Sequence, residues 1–216
     1  MLNDTYGLTE RNHIMVGHSC GATLAFQALQ RSCTHNSDRP LPPPRALVGL
    51  AGIYDLRLLY ESHKDGPYGD IYASFIEGAF GKNMDDWDRA SPAYFAERNS
   101  EMFSSTSILL VTAEGDELVE PAQRDVMRRA ILGSKSSSSS ETVPVQDKEP
   151  EIETGGGSAM MTENQGGSRY AEMSVKGGHD DMWLVGERMV AAIEKAIQVM
   201  LMPKATPPEA AVAAVS

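Results

Sequence analysis

Cysteine is scarce, with Cys20 and Cys33 the only two in 216 residues. Two thiols make neither a disulfide framework nor a zinc-binding pattern, so reduced thiols in a cytoplasmic protein are the expectation. Basic charge is also in short supply. Nineteen Lys and Arg against 30 Asp and Glu leave a net charge of −11. Nucleic acid and anionic membrane surfaces both need a basic face, so neither is expected as a partner, and the acidity reads first as solubility. No uncharged apolar stretch approaches the ~20 residues that span a bilayer. Met1-Leu2-Asn3-Asp4-Thr5 has neither the basic nor the apolar region of a signal peptide, so none is expected.

What is present is ordinary for a globular protein: 41% hydrophobic and 23% charged residues, enough for one sizeable core. Short apolar runs at 13–16, 46–51 and 107–112 read as buried strands, and the alternation of 169–175 as a fourth. From Cys20 to about Arg31 the spacing is helical, whereas the prolines at 40–44 force a loop. Strand, helix, strand with long crossovers predicts an α/β fold, a mostly parallel sheet flanked by helices. Between the second and third strands, 60–105 reads as a helical, cap-like region. There Ile71, Tyr72, Phe75, Ile76, Ala79 and Phe80 recur at helical spacing; they suit packed core better than the lining of a lid. Residues 134–168 carry five consecutive serines, scattered acids and Gly155-Gly156-Gly157, too little apolar surface to offset ordering, so a disordered insert is expected. Asp147, Glu149, Glu151 and Glu153 within it read as a solvated acidic run. One amphipathic helix is expected from about Asp181 to Met202, with Glu187, Arg188, Glu194 and Lys195 on its wet face. Pro203 ends it, and 203–216 is expected to be a flexible tail. The domain is therefore expected to comprise 1–133 and 169–202.

Gly17-His18-Ser19-Cys20-Gly21 fits G-x-S-x-G, the turn that lifts a nucleophilic serine above the end of a strand. Its place between an apolar strand and an amphipathic helix is the context the motif requires. Side chains at Gly17 or Gly21 are expected to collide with the turn. A serine needs a base, and the base needs an orienting acid, each following a strand in the order Ser, acid, His. Asp116 follows the third strand in Glu114-Gly115-Asp116, and His179 the fourth in Gly177-Gly178-His179-Asp180. Their competitors fit less well. His13 lies in the strand before the nucleophile, His18 is expected to point elsewhere on the turn, and His35 and His63 lie in loops before the acid. Among acids, Glu114 and Glu117 flank Asp116. Asp55 is the runner-up, better suited to capping a loop. The backbone N–H of Cys20 should supply one oxyanion donor. The second normally comes from a glycine-rich loop upstream, and residues 1–18 contain no Gly-Gly pair.

Tyr6-Gly7-Leu8, Val16-Gly17-His18-Ser19-Cys20-Gly21-Ala22-Thr23-Leu24-Ala25 and Ala51-Gly52-Ile53-Tyr54-Asp55-Leu56 together resemble the kynurenine formamidases (arylformamidases), fungal ones especially. Ala90-Ser91-Pro92, Gly115-Asp116-Glu117-Leu118-Val119 and Gly178-His179-Asp180 also match. The resemblance spans roughly 5–130 and 169–200. It implies an α/β-hydrolase fold lacking its N-terminal strands, and a serine hydrolase that turns N-formyl-L-kynurenine into L-kynurenine and formate in tryptophan breakdown. Ser19, Asp116 and His179 match the triad, and residues 60–105 would shape an aryl pocket. No cofactor or metal is implied; the partner is a small-molecule substrate, and a homodimer is allowed. The family's His-Gly-Gly oxyanion motif has no counterpart here, so the chain reads as truncated at its front and impaired. The nucleophile strand would then be an exposed sheet edge. Two alternatives stand beside this reading: a carboxylesterase for small acyl esters, and a catalytically dead hydrolase fold kept as a binding module.

Overall fold

A computed structural model describes residues 13–33, 42–99, 101, 103, 105–133, 160–163 and 169–201. Among them, five strands form one sheet: β1 (Ile14–His18), β2 (Ala46–Leu50), β3 (Ser107–Ala113), β4 (Met160–Glu163) and β5 (Arg169–Val175), in the order β1-β2-β3-β5-β4. The pairs β1–β2, β2–β3 and β3–β5 are parallel, and β4–β5 is antiparallel. Gly17 pairs with Gly49 and Gly49 with Leu110, so the C-terminal ends of the parallel strands open on one rim.

The apolar runs are buried because both faces are covered. On one face α1 (Cys20–Cys33), α5 (Pro92–Arg98) and α6 (Ala122–Leu132) pack Phe26, Leu29, Ala96 and Met127 against Leu47, Ile108 and Leu110. On the other, Ala192, Ala196 and Val199 of α8 (Gly186–Leu201) meet Val48, Leu109, Val111 and Ala171. Alternate residues of β2 and β3 thus enter opposite cores, which is why these strands read as unbroken apolar runs.

The region after β2 folds as α2 (Leu56–His63), α3 (Gly69–Phe80), α4 (Met84–Ala90) and then α5. Leu56, Leu59, Tyr72, Ile76 and Trp87 form a satellite core there, together with Val119 from the loop after β3. Of the helically spaced residues, Tyr72 and Ile76 are core, whereas Ile71 and Phe75 are exposed.

Three expectations change. Met160–Glu163, placed by composition in the disordered insert, form β4, because the open edge of β5 supplies a ladder for their backbone groups. The last helix is two: α7 (Asp181–Leu184) stops at Val185, whose ψ of 89° leaves the helical region, and α8 starts at Gly186. The first strand continues through His18, in register with β2. The remainder of the insert (134–159, 164–168) and the tail 203–216 lie outside the described residues, as do His35 and residues 1–12. No helix of the described residues is long and apolar enough to cross a membrane.

Candidate active site

Ser19 stands between β1 and α1 with φ 54°, a left-handed conformation that costs a non-glycine residue about 1–3 kcal/mol. Two things impose it. The Ser19 N–H donates to Leu50 O at 2.9 Å, stitching the turn to the end of β2, and the Ala22 N–H donates to Ser19 O at 3.0 Å. The helix also starts so abruptly that a Cβ at Gly17 would lie 2.6 Å from Ala22 N and closer still to Gly21 O. Gly17 is therefore obligatory. Gly21 is not: a Cβ there meets nothing within 4 Å, contrary to expectation, because the helix leaves that side open. Cys20 opens α1, so its N–H lacks an intrahelical acceptor and is free to serve an oxyanion.

Asp116 sits in the turn after β3. Its Oδ1 accepts from the N–H groups of Leu118 (3.0 Å) and Val119 (2.9 Å), folding the loop around the carboxylate. The turn is fixed to the strand beyond by Glu114 N–H to Val175 O and Gly115 N–H to Gly177 O. Tyr72 from α3 donates its hydroxyl to Leu118 O at 2.8 Å, and Glu120 faces His63 Nε2 at 3.2 Å, so the helices after β2 grip the loop. Burial and the nearby Glu120, Asp116 and Glu117 carboxylates push the Tyr72 hydroxyl above its ordinary pKa, keeping it a donor.

His179 follows β5 and places Nδ1 3.0 Å from Asp116 Oδ1 and 2.9 Å from Oδ2. The two side chains are only 5% and 4% exposed. A carboxylate only accepts, so Nδ1 carries the proton and Nε2 is left as a bare acceptor, the tautomer a general base requires. The loop is held behind it by Asp181, whose Oδ2 accepts from Gly178 N–H at 2.9 Å and lies 3.0 Å from Arg188 Nη1. The Gly178 N–H and then Arg188 hold the Asp181 carboxyl below the ordinary carboxylate pKa. Gly177, at φ 114°, is a position where a Cβ would overlap both Arg188 and Asp181.

The structure thus brings Asp116 and His179 together. No hydrogen bond joins Ser19 Oγ to His179 among the described residues. Instead Ser19 and His179 meet through His18, whose Nε2 lies 3.0 Å from His179 O and whose ring centroid is 4.6 Å from that of His179. This corrects the expectation that His18 points elsewhere on the turn: a strand that runs two residues further, through His18, aims it across the rim. Asp55 is the N-cap of α2, accepting from Leu58 N–H at 2.9 Å, and His63 stacks on Tyr72, so both have structural partners. His13 directly precedes β1, and its carbonyl accepts from Arg45 N–H at 2.8 Å. Glu114 and Glu117 are exposed. His18 stands beside the nucleophile in the sequence, but its direction depends on how the turn and the loop after β5 meet in space.

Three comparisons with known proteins bear on this geometry. No protein-family model matches the chain. The kynurenine formamidase-like hydrolase fscH of Fusarium equiseti is 30% identical over 190 residues, 87% of this chain and 52% of that protein. Kynurenine formamidase avaC of Aspergillus versicolor is 37% identical over 147 residues, 62% of this chain and 50% of that one. The chain spans about half the length of the curated relatives it matches. Among solved structures, a puromycin hydrolase superposes with a TM-score of 0.54 at 19% identity, over 96% of this chain and 25% of its own, a likeness of fold.

Proposed function

We propose, from the premise that this chain has the α/β-hydrolase fold and resembles the kynurenine formamidases, that it is a serine hydrolase of N-formyl-L-kynurenine, yielding L-kynurenine and formate. Ser19 is its nucleophile, His179 its base and Asp116 its acid. The observation that carries this reading is the buried Asp116–His179 pair, which leaves Nε2 as an acceptor, on a loop tied through His18 to the strained elbow of Ser19. The relative avaC, 37% identical, is a kynurenine formamidase, and that likeness supplies the substrate class.

In this mechanism His179 Nε2 takes the Ser19 proton as Oγ attacks the formyl carbon, and Asp116 stabilises the imidazolium that forms. The oxyanion leans on the Cys20 N–H. His179 then gives its proton to the departing aryl amine, and water, deprotonated by the same imidazole, releases formate from Ser19. A second oxyanion donor is not identified among the described residues. Each such donor is worth about 10²–10³ in rate.

The test is hydrolysis of N-formyl-L-kynurenine beside p-nitrophenyl acetate, for the chain and its Ser19→Ala variant. Formamide cleavage that Ser19→Ala abolishes supports the proposal. Preference for the acetate makes the chain a carboxylesterase with the same triad, and activity unchanged in Ser19→Ala overturns the role of Ser19.

A further inference from the structure

We propose that His18 is a positioning residue for His179: by donating its Nε2–H to the His179 carbonyl and laying its ring against the His179 imidazole, it sets where the base stands relative to Ser19. The inference rests on the reading of His179 as base. It begins with a need. Asp116 fixes the rotation of the His179 ring, but the backbone bearing that ring follows Gly177 and Gly178, the former at φ 114°. A histidine on such a segment keeps its place only if the backbone is tied on both sides. Before it, Gly115 N–H holds Gly177 O at 2.9 Å and Asp181 holds Gly178 N–H. At His179 itself the tie is the 3.0 Å bond from His18.

That bond determines its own chemistry. A carbonyl oxygen only accepts, so His18 Nε2 bears the proton and Nδ1 does not. His18 is half-buried, and desolvation lowers its pKa below the ordinary 6.5. The His179 carbonyl and the charges of Asp180 and Asp116 act in the opposite direction, while a charged His179 reinforces the lowering. A neutral ring 4.6 Å from the His179 ring lets the imidazolium form in catalysis without facing a second cation. His18 also directly precedes Ser19, in a turn whose backbone is locked by Leu50 O and by Gly17. The tie therefore connects base to nucleophile through the shortest stretch of chain available, one peptide unit.

The experiment compares His18→Phe, which keeps an aromatic ring without a donor, with His18→Gln, whose Nε2 can still donate. Histidine ¹⁵N NMR reads tautomers and the His179 Nδ1 proton, and labelling of Ser19 by a fluorophosphonate reads its nucleophilicity without reference to substrate. In the parent chain His18 is expected as the neutral Nε2–H tautomer at pH 7.5. His18→Phe should broaden the His179 Nδ1 proton resonance and slow labelling about tenfold, the scale of a sub-ångström misplacement. His18→Gln should restore both to within about threefold. An unchanged His179 resonance in His18→Phe, a His18→Gln no better than His18→Phe, or a His18 found as the Nδ1–H tautomer overturns the inference. A parent chain that resists the fluorophosphonate counts against the Ser19 nucleophile, and the NMR comparison still decides the role of His18.

Discussion

At the scale of single residues, the nucleophile turn separates two glycines that the motif treats alike. A methyl at Gly17 would enter the backbone of Gly21 and Ala22, which cannot yield without unwinding the start of α1. Gly17→Ala should therefore cost about 3 kcal/mol or more, a fall in Tm of about 6–12 °C for a chain of this size. Gly21→Ala meets open space on a helix and should be neutral or stabilising by up to about 1 kcal/mol. Paired thermal melts check both; equal destabilisation would refute the asymmetry. The same turn predicts a pH effect. The folded pKa of His18 lies below its unfolded value of about 6.5, so below that pH the unfolded chain binds the extra proton first. Stability is thus undiminished above pH 6.5, declines as the pH falls from there to the folded pKa, and levels off beneath it. Urea denaturation between pH 8 and 5 should show a shallower acid loss in His18→Gln than in the parent chain. Ser19, Asp116 and His179 were legible as candidates because residue type and order along the chain express what the chemistry needs. The direction of His18 was not, since it depends on how a strained turn and a distant loop meet in space.

At the scale of elements, the loop carrying Asp116 is held less by its own strand than by α2 and α3. Tyr72 donates to Leu118 O, His63 faces Glu120, and Leu118 and Val119 join the satellite core of Ile53, Leu56 and Ile76. Removing the Tyr72 hydroxyl leaves the Leu118 carbonyl short of a donor while the ring still packs. Tyr72→Phe should then cost about 1 kcal/mol in stability. It should also lower kcat more than it raises KM, because the acid is displaced and the substrate contacts are not. A kcat/KM unchanged within error would show that the grip does not reach Asp116. The elements themselves were legible to differing degrees for physical reasons. Strands β2 and β3 announce themselves because both faces are buried, so every residue is apolar. The break between α7 and α8 has only a weak signal, Gly186, because helical periodicity runs on through Val185. Strand β4 is silent: its four residues have no pattern of their own and take their conformation from the ladder β5 offers.

At the scale of the whole molecule, the sheet has one strand end protected and one open. The far edge, β4, is four residues long, and so short an edge strand discourages pairing with another chain. The near edge, β1, pairs with β2 on one side, and among the described residues no strand lies on the other. Its Ile14, Met15 and Val16 send their side chains into the two cores and are only partly buried. Among the described residues no strand takes the outward N–H and C=O groups of β1, which makes that edge a template for a further strand. A net charge of −11 opposes association at low ionic strength, but that repulsion is screened over about 8 Å at physiological salt. Purified residues 1–216 should therefore associate as salt is raised, with sedimentation or light scattering reporting larger species above about 0.1 M. Val16→Pro, which removes a backbone donor from β1, is a poor control because it also disturbs the elbow. Glu or Lys at Ile14 is no cleaner, because that side chain packs against the core around Val48 and Leu109; the salt dependence of association is itself the test. A chain that stays monomeric and melts cooperatively at 0.15–0.5 M salt would show that the edge is covered by residues outside the described part, and that β1 is no template at all.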